Sequence, residues 1–466
     1  MKLKKELTFF DLTNIVIGSI VGADIYIASA LTAGMVGPFS MIVWLVAGIF
    51  ATIIALVLAY CSYYVPKVGG PFAFVSKAFD DFYGFLTGWS MWIAEVLALS
   101  IFGIAFVRYL QFFIPLDFYQ QILFKGLFLS ALTLINILGV KAAGRFNDFL
   151  TIIKLLPLLL LIIVGILFFV FNPTILSKNY LPLAPLGFEN FGAALVLIFW
   201  AYAGFEMGTI PANEVKNPKK TIPKAIGTGM VVVMAFYLLT NFVVFGTVNW
   251  KDLSGSSTPL ILVGSVLLGA VGVVIVSLGA LVSVSGSDEA GVLGTARLSY
   301  AMSIDGLFPK IFSKVHPTYR TPYMALIIQG IISFVFSIFS ISKLISFSVF
   351  NLAFSFLLTC LALIILKKGA RKELHGQNIL PWIGIGICLY LLYSTSLFDK
   401  MVGLALILMG IPIYIFFSPK VDIHHLKRMF LSEEAIIGRR LERKERFLAN
   451  FVRLIHRIYK RFSGQK

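Results

Sequence analysis

Charged residues are scarce inside the apolar stretches of this 466-residue chain, and those that do occur there are the first candidates for chemistry. Lys154 sits in Thr151-Ile152-Ile153-Lys154-Leu155-Leu156-Pro157. Asp24 closes Gly18-Ser19-Ile20-Val21-Gly22-Ala23-Asp24, and Glu206 closes Ala201-Tyr202-Ala203-Gly204-Phe205-Glu206. Glu95, Asp288 and Glu289 add three more acids. A charge held within an apolar span is costly, and it persists where it pairs, lines a wet cavity or handles a proton. Lys154 therefore has two readings: a proton-exchanging amine, or a lysine that reaches back to the basic membrane face marked by Arg145. Glu206, beside two small residues, either senses a proton or caps freed backbone amides. Ser283, Ser285 and Ser287 are spaced two apart, so they cannot all share one helix face; one or two of them are placed to meet Lys154 or a sodium ion.

These groups need elements to hold them, and the glycines around Asp24 and Glu206 indicate which. A helix in lipid must satisfy its own backbone, since the hydrocarbon offers no partners. Glycines together with an acid in mid-span weaken that helix. They are tolerated where unwound backbone lines a cavity and a solute takes the freed hydrogen bonds. Paired interruptions in the two halves of a chain mark the binding site of a secondary transporter. The alternative is that the glycines only let helices pack closely. Two interrupted segments, each with a carboxylate, favour the binding-site reading.

The chain is 59% hydrophobic with mean hydropathy +0.92. Apolar runs of crossing length recur at about 9–33, 39–64, 83–113, 122–140, 147–171, 190–211, 224–248, 262–296, 323–341, 345–366, 379–396 and 401–417. That pattern predicts an all-α polytopic membrane protein of about twelve crossings. No cleavable signal peptide is expected, because the first run is too long and leads into the next. Lysine and arginine gather in one alternating set of loops, from Lys67 and Lys77 through Lys216–Lys224 to Lys367–Lys372, and both termini lie on that side. By the positive-inside rule both termini are cytoplasmic, in a multi-pass protein of the cell membrane. From Lys420 onward thirteen Lys/Arg stand against five Asp/Glu, within a chain of net charge +17. Leu441, Phe447, Phe451, Leu454 and Ile458 recur there at helical intervals, so residues 419–466 read as a basic amphipathic tail on the anionic inner leaflet rather than a nucleic-acid binder. Cys61, Cys360 and Cys388 show neither disulfide nor metal spacing. There is no phosphate-binding loop of the G-x-x-x-x-G-K-[ST] type and no long polar domain, so neither an enzyme nor an ATP-driven pump is expected, and no cofactor or metal.

Four stretches carry a resemblance: Gly18–Tyr26, Tyr64–Phe72 followed by Gly88-Trp89, Phe199–Ile226 (FWAYAGFEMGTIPANEVKNPKKTIPKAI) and Arg297–Pro322. In them the chain resembles the amino acid–polyamine–organocation superfamily of permeases, of the bacterial and archaeal amino acid transporter type, over nearly all of residues 9–418. The resemblance implies a LeuT-type fold of two inverted five-helix repeats, about 9–171 and 190–366. Two extra helices at 379–417 would complete a permease domain spanning 1–418. It also implies a substrate site built from Gly18, Ile20, Gly22, Ala23 and Asp24 of the first break and Phe199, Trp200, Ala201, Tyr202, Ala203 and Gly204 of the sixth. Gly22, Ala23 and Asp24 would lie near the substrate carboxylate, and Trp200, Ala201 and Ala203 near its amino group. Lys154 matches a fifth-helix lysine that replaces a sodium ion in proton-coupled relatives. With Glu206 and Ser283 it would form the proton-coupling set, with protons rather than sodium as the coupling ion.

The expected function is proton-coupled import of an amino acid by alternating access. The family's first break carries small residues throughout, so Asp24 points to a cationic substrate or a second proton site. An antiporter or an amine carrier is the alternative within the fold. A non-transporting nutrient sensor is the alternative outside it. Substrate identity and oligomeric state are not legible.

Overall fold

The computed structural model describes residues 7–138, 140–210, 212, 215–369 and 376–417. The basic tail at 419–466 lies outside the described residues. Helix α1 (Phe9–Ile20) starts at a reciprocal cap: the Asp11 carboxylate accepts the Thr8 N–H at 2.8 Å, and the Thr8 hydroxyl accepts the Asp11 N–H. It stops two residues before α2 (Ala23–Val36), so the first crossing is broken at Val21-Gly22. The second crossing is α3 (Ser40–Tyr64). A short α4 (Pro71–Ala78) leads into α5 (Asp81–Leu110), whose first turn is capped by Asp80 accepting the Phe82 and Tyr83 N–H groups, both at 3.0 Å. Then come α6 (Phe118–Leu138), α7 (Val140–Phe171) and the one-turn α8 (Thr174–Tyr180).

Five crossings after the first break, α9 (Phe191–Ala201) ends in mid-protein. Gly204, at φ +117°, turns the chain into a 3₁₀ segment at Phe205–Thr209. The remainder is α10 (Pro218–Thr247), α11 (Trp250–Ser254), α12 (Pro259–Ile304), α13 (Tyr323–Phe336), α14 (Ile341–Leu366), α15 (Leu380–Ser394) and α16 (Leu397–Phe417). Among the described residues there is no strand, only a single bridge between Leu7 and Val215.

Eight described segments are long and apolar enough to cross a membrane. One of them, Phe9–Tyr64, contains the first two expected crossings, so the eight hold nine; the shorter helices α9, α13 and α15 bring the number to the expected twelve. The eighth crossing departs from the expected 262–296. Gly269, at φ +58°, reverses the chain inside α12, so the crossing itself starts after it and runs on to Ile304. The reversal is tight: a Cβ on Gly272 would stand 2.1 Å from the Gly264 carbonyl oxygen. The run is apolar on both sides of this turn, which hides it from a hydropathy reading.

Helix α7 shows how lipid and core divide. Leu159, Ile163, Ile166 and Val170 form an exposed stripe at spacings of three and four, while Leu158, Leu161 and Ile162 are buried on the opposite face. An apolar stripe facing outward is the pattern of a helix solvated by hydrocarbon. Pro157 interrupts the helix at the level of Gly279 on α12, where a Cβ would stand 2.4 Å from the proline ring.

Two groups of helices surround the site. α1, α2, α3, α9 and α10 pack on one another, and α5, α6, α12 and α13 form a second set against which α7 and α14 lie. The last helix is tied in by polar contacts. The Trp89 indole N–H of α5 donates to the Leu406 carbonyl of α16 at 2.8 Å, Tyr414 packs on Phe85 at 4.8 Å, and Lys343 of α14 pairs with Asp399 at 2.9 Å.

Candidate functional site

The two breaks meet backbone to backbone. A Cβ on Gly204 would stand 2.8 Å from the Ser19 carbonyl oxygen and 3.1 Å from the Ile20 nitrogen. Only a residue without a side chain, and one at ease with positive φ, fits there. Beside this contact lies a cavity of about 40 Å³. Its polar wall includes Ser19, Asp24, Glu95, Glu206, Ser287 and Ser348. Its apolar wall includes Ile20, Ala98, Phe102, Trp200, Met207 and Leu352. The space holds a few waters, so a larger solute enters only as the walls part.

Lys154 is fully buried. Its Nζ donates to the Gly18 carbonyl at 2.6 Å and to the Ser287 hydroxyl at 3.0 Å. This geometry excludes a lysine reaching for the membrane surface. Gly18 lies in the last turn of α1, where carbonyls lack helical partners and the helix dipole favours a cation. The Ser287 hydroxyl lies 2.5 Å from the Val21 carbonyl and 3.2 Å from that of Gly18, so serine and lysine together serve the end of the broken helix. Ser283, one turn earlier, has a buried hydroxyl with no partner among the described residues. The serine that meets Lys154 is thus Ser287, and Gly22 packs against it so closely that a Cβ would stand 2.8 Å from the Ser287 Cβ.

Asp24 lies just past the break, in the first turn of α2, and turns back on it. Its Oδ1 accepts the Gly22 N–H at 2.7 Å, and its Oδ2 accepts the Tyr237 hydroxyl of α10. Tyr237 also lies 3.1 Å from the Ile20 carbonyl, and its ring packs on Trp44 and Tyr202. Asp24 therefore satisfies an amide that the break would otherwise leave open to a solute. A Tyr237→Phe protein is expected to lose about 1–3 kcal/mol, because the buried Asp24 oxygen loses its donor. A fall in the melting temperature of the purified protein checks this.

Glu206 makes the matching contact at the sixth break: its Oε2 accepts the Gly204 N–H at 3.0 Å. Of the other residues expected here, Ile20, Trp200, Ala203 and Gly204 line the cavity. The Gly18 carbonyl holds Lys154. Ala23 and Ala201 are buried outside the lining, Phe199 turns toward Phe356, and Tyr202 toward Trp44. Asp288 is fully buried away from the cavity, with no donor to either carboxyl oxygen among the described residues. Phe102, Ser348, Leu352, Met207 and Tyr237 were not anticipated. They lie in helices apolar or buried on most sides, where the pattern does not mark the inward face. Glu95 stood out only as a charge in a span.

Broken helices around a closed cavity, within a bundle of apolar crossings, define a membrane transporter of the discontinuous-helix class. The chain belongs to the amino acid permease family, whose model matches residues 7–424. It is 28% identical to the branched-chain amino acid permease BcaP of Bacillus subtilis, over 90% of this chain and 94% of that protein. It is also 28% identical to the serine/threonine exchanger SteT of the same organism, over 88% and 96%. A third relative is the human cystine/glutamate transporter, 28% identical over 90% and 86%. The chain is a transporter and not an enzyme.

Proposed function

We propose that this protein imports an amino acid across the plasma membrane, coupled to protons, by alternating access between two inverted repeats at about 9–171 and 190–366, with both termini cytoplasmic. The observation that carries this reading is Lys154, buried and bonded across helices to the end of α1 and to Ser287 of α12. An ammonium at the carbonyl end of a broken helix takes the place a metal cation would otherwise fill, which supports protons over sodium. Loss of the proton weakens the hold on Gly18 and so loosens the contact between α1 and the helices behind it. In the broken helices Ser19 and the backbone around Ile20 and Gly204 face the cavity, where the α-amino and α-carboxyl groups of a substrate would bind.

The test is uptake of a labelled amino acid mixture into proteoliposomes under an imposed pH gradient without sodium. Accumulation that a protonophore abolishes is the expected result. The exchanger among the relatives supports a second reading, obligatory exchange. That reading takes over if uptake occurs only into preloaded vesicles and ignores the gradient. Absence of both uptake and exchange overturns the assignment.

A further inference from the structure

Helix α5 crosses beside the cavity and brings the Glu95 carboxyl to face that of Glu206. Both line the same space, in a protein whose crossings leave few charges near one another. Glu206 is completely buried, and its Oε1 has no hydrogen-bond donor among the described residues; Glu95 is 9% exposed. The other acid of the cavity is already occupied, since both Asp24 oxygens accept hydrogen bonds. Lys154 is likewise committed, to Gly18 and Ser287, and forms no ion pair with a carboxylate among the described residues. The uncommitted acceptor capacity therefore lies in the Glu95–Glu206 pair. Carboxylates only accept, and two of them facing each other away from water need a positively charged donor between them. From the pair toward the breaks the walls are apolar: Ala98, Phe102, Met207 and Leu352.

A polar backbone end, an aliphatic wall and a carboxyl pair match one solute shape. We propose that Glu95 and Glu206 form a subsite for the terminal ammonium of a substrate side chain, and that the protein takes amino acids of the lysine and ornithine type. This rests on the amino acid permease reading above, with the α-amino and α-carboxyl groups at the broken helices.

The test is competition binding on the purified full chain in lipid nanodiscs, with lysine and norleucine, which differ only by the terminal amine. Lysine is expected to bind about tenfold tighter or more, the size of a charge-assisted hydrogen bond set. Glu95→Gln and, separately, Glu206→Gln are expected to erase that preference while norleucine affinity stays as it was. Equal or tighter binding of norleucine by the unmodified protein overturns the proposal without recourse to any variant. So does a Glu95→Gln protein that loses both ligands equally, or one that changes only the pH dependence of binding, which would assign the pair a shared proton alone. If neither amino acid binds but 1,5-diaminopentane does, in a Glu95-dependent manner, the subsite stands and the amino acid reading falls. If none of the three binds, both fall.

Discussion

A Gly204→Ala protein is expected to transport nothing measurable and to reach the membrane in reduced amount. Two costs coincide at this position. A non-glycine residue held at φ +117° is strained by about 1–3 kcal/mol. The added methyl also stands 2.8 and 2.9 Å from the carbonyl oxygen and carbon of Ser19, and backbone cannot swing aside as a side chain can. Overpacking of that kind costs a further ~1–3 kcal/mol, against a total stability of about 5–15 kcal/mol. What remains folded must separate the two breaks, which are the walls of the cavity. Gly227→Ala is the control: that glycine lies within α10 with nothing near its Cβ position, so alanine there is expected to leave both melting temperature and uptake intact or slightly raise the former. Size-exclusion yield and proteoliposome uptake of the two variants, side by side, check the difference. Normal uptake by Gly204→Ala would show that the breaks need not touch.

The second large effect is expected at Lys154. Lys154→Ala removes a charged donor from the Gly18 carbonyl and the Ser287 hydroxyl and leaves a void where a fully buried side chain stood. The lost hydrogen bonds to a charged group are each worth about 1.5–3 kcal/mol, and the void adds about 24 cal/mol per Å³. Gradient-driven uptake is expected to disappear. Lys154→Met separates the contributions, because it restores most of the volume but no donor. It should recover much of the melting temperature and none of the gradient-driven uptake. A Lys154→Met protein that still accumulates substrate against the pH gradient would assign the lysine a packing role and move the coupling elsewhere.

Much of this site was legible in the sequence because it breaks local rules there. Glycine next to an acid within an apolar run contradicts the needs of a membrane helix, and both breaks were found by that contradiction. Lys154 was visible for the same reason. What remained hidden depends on rotation about helix axes. Ser283 and Ser287 are one turn apart on α12, and nothing local says which of them meets the lysine. Ser348 and Leu352 lie in a helix buried on most of its sides, so no face of α14 stands out as the one turned to the cavity. The direction of Asp24 was hidden as well. Its carboxylate reads as a group offered to a solute, while the fold spends it on Gly22 and Tyr237. The reversal at Gly269 falls in a run that is apolar before and after it, so periodicity gives no warning.

The bond from the Trp89 indole to the Leu406 carbonyl bears on how small a working version of this protein can be. The two helices after Leu366 lie outside the repeats and invite removal in a pared-down engineered variant. Cutting them would strip Trp89 of its acceptor, take Tyr414 off Phe85 and leave Lys343 without Asp399. An indole N–H, a bared aromatic face and a lone ammonium would then look into the acyl chains. A ten-helix version would need these three positions redesigned first, with phenylalanine for Trp89 and an uncharged residue for Lys343 as the opening choices.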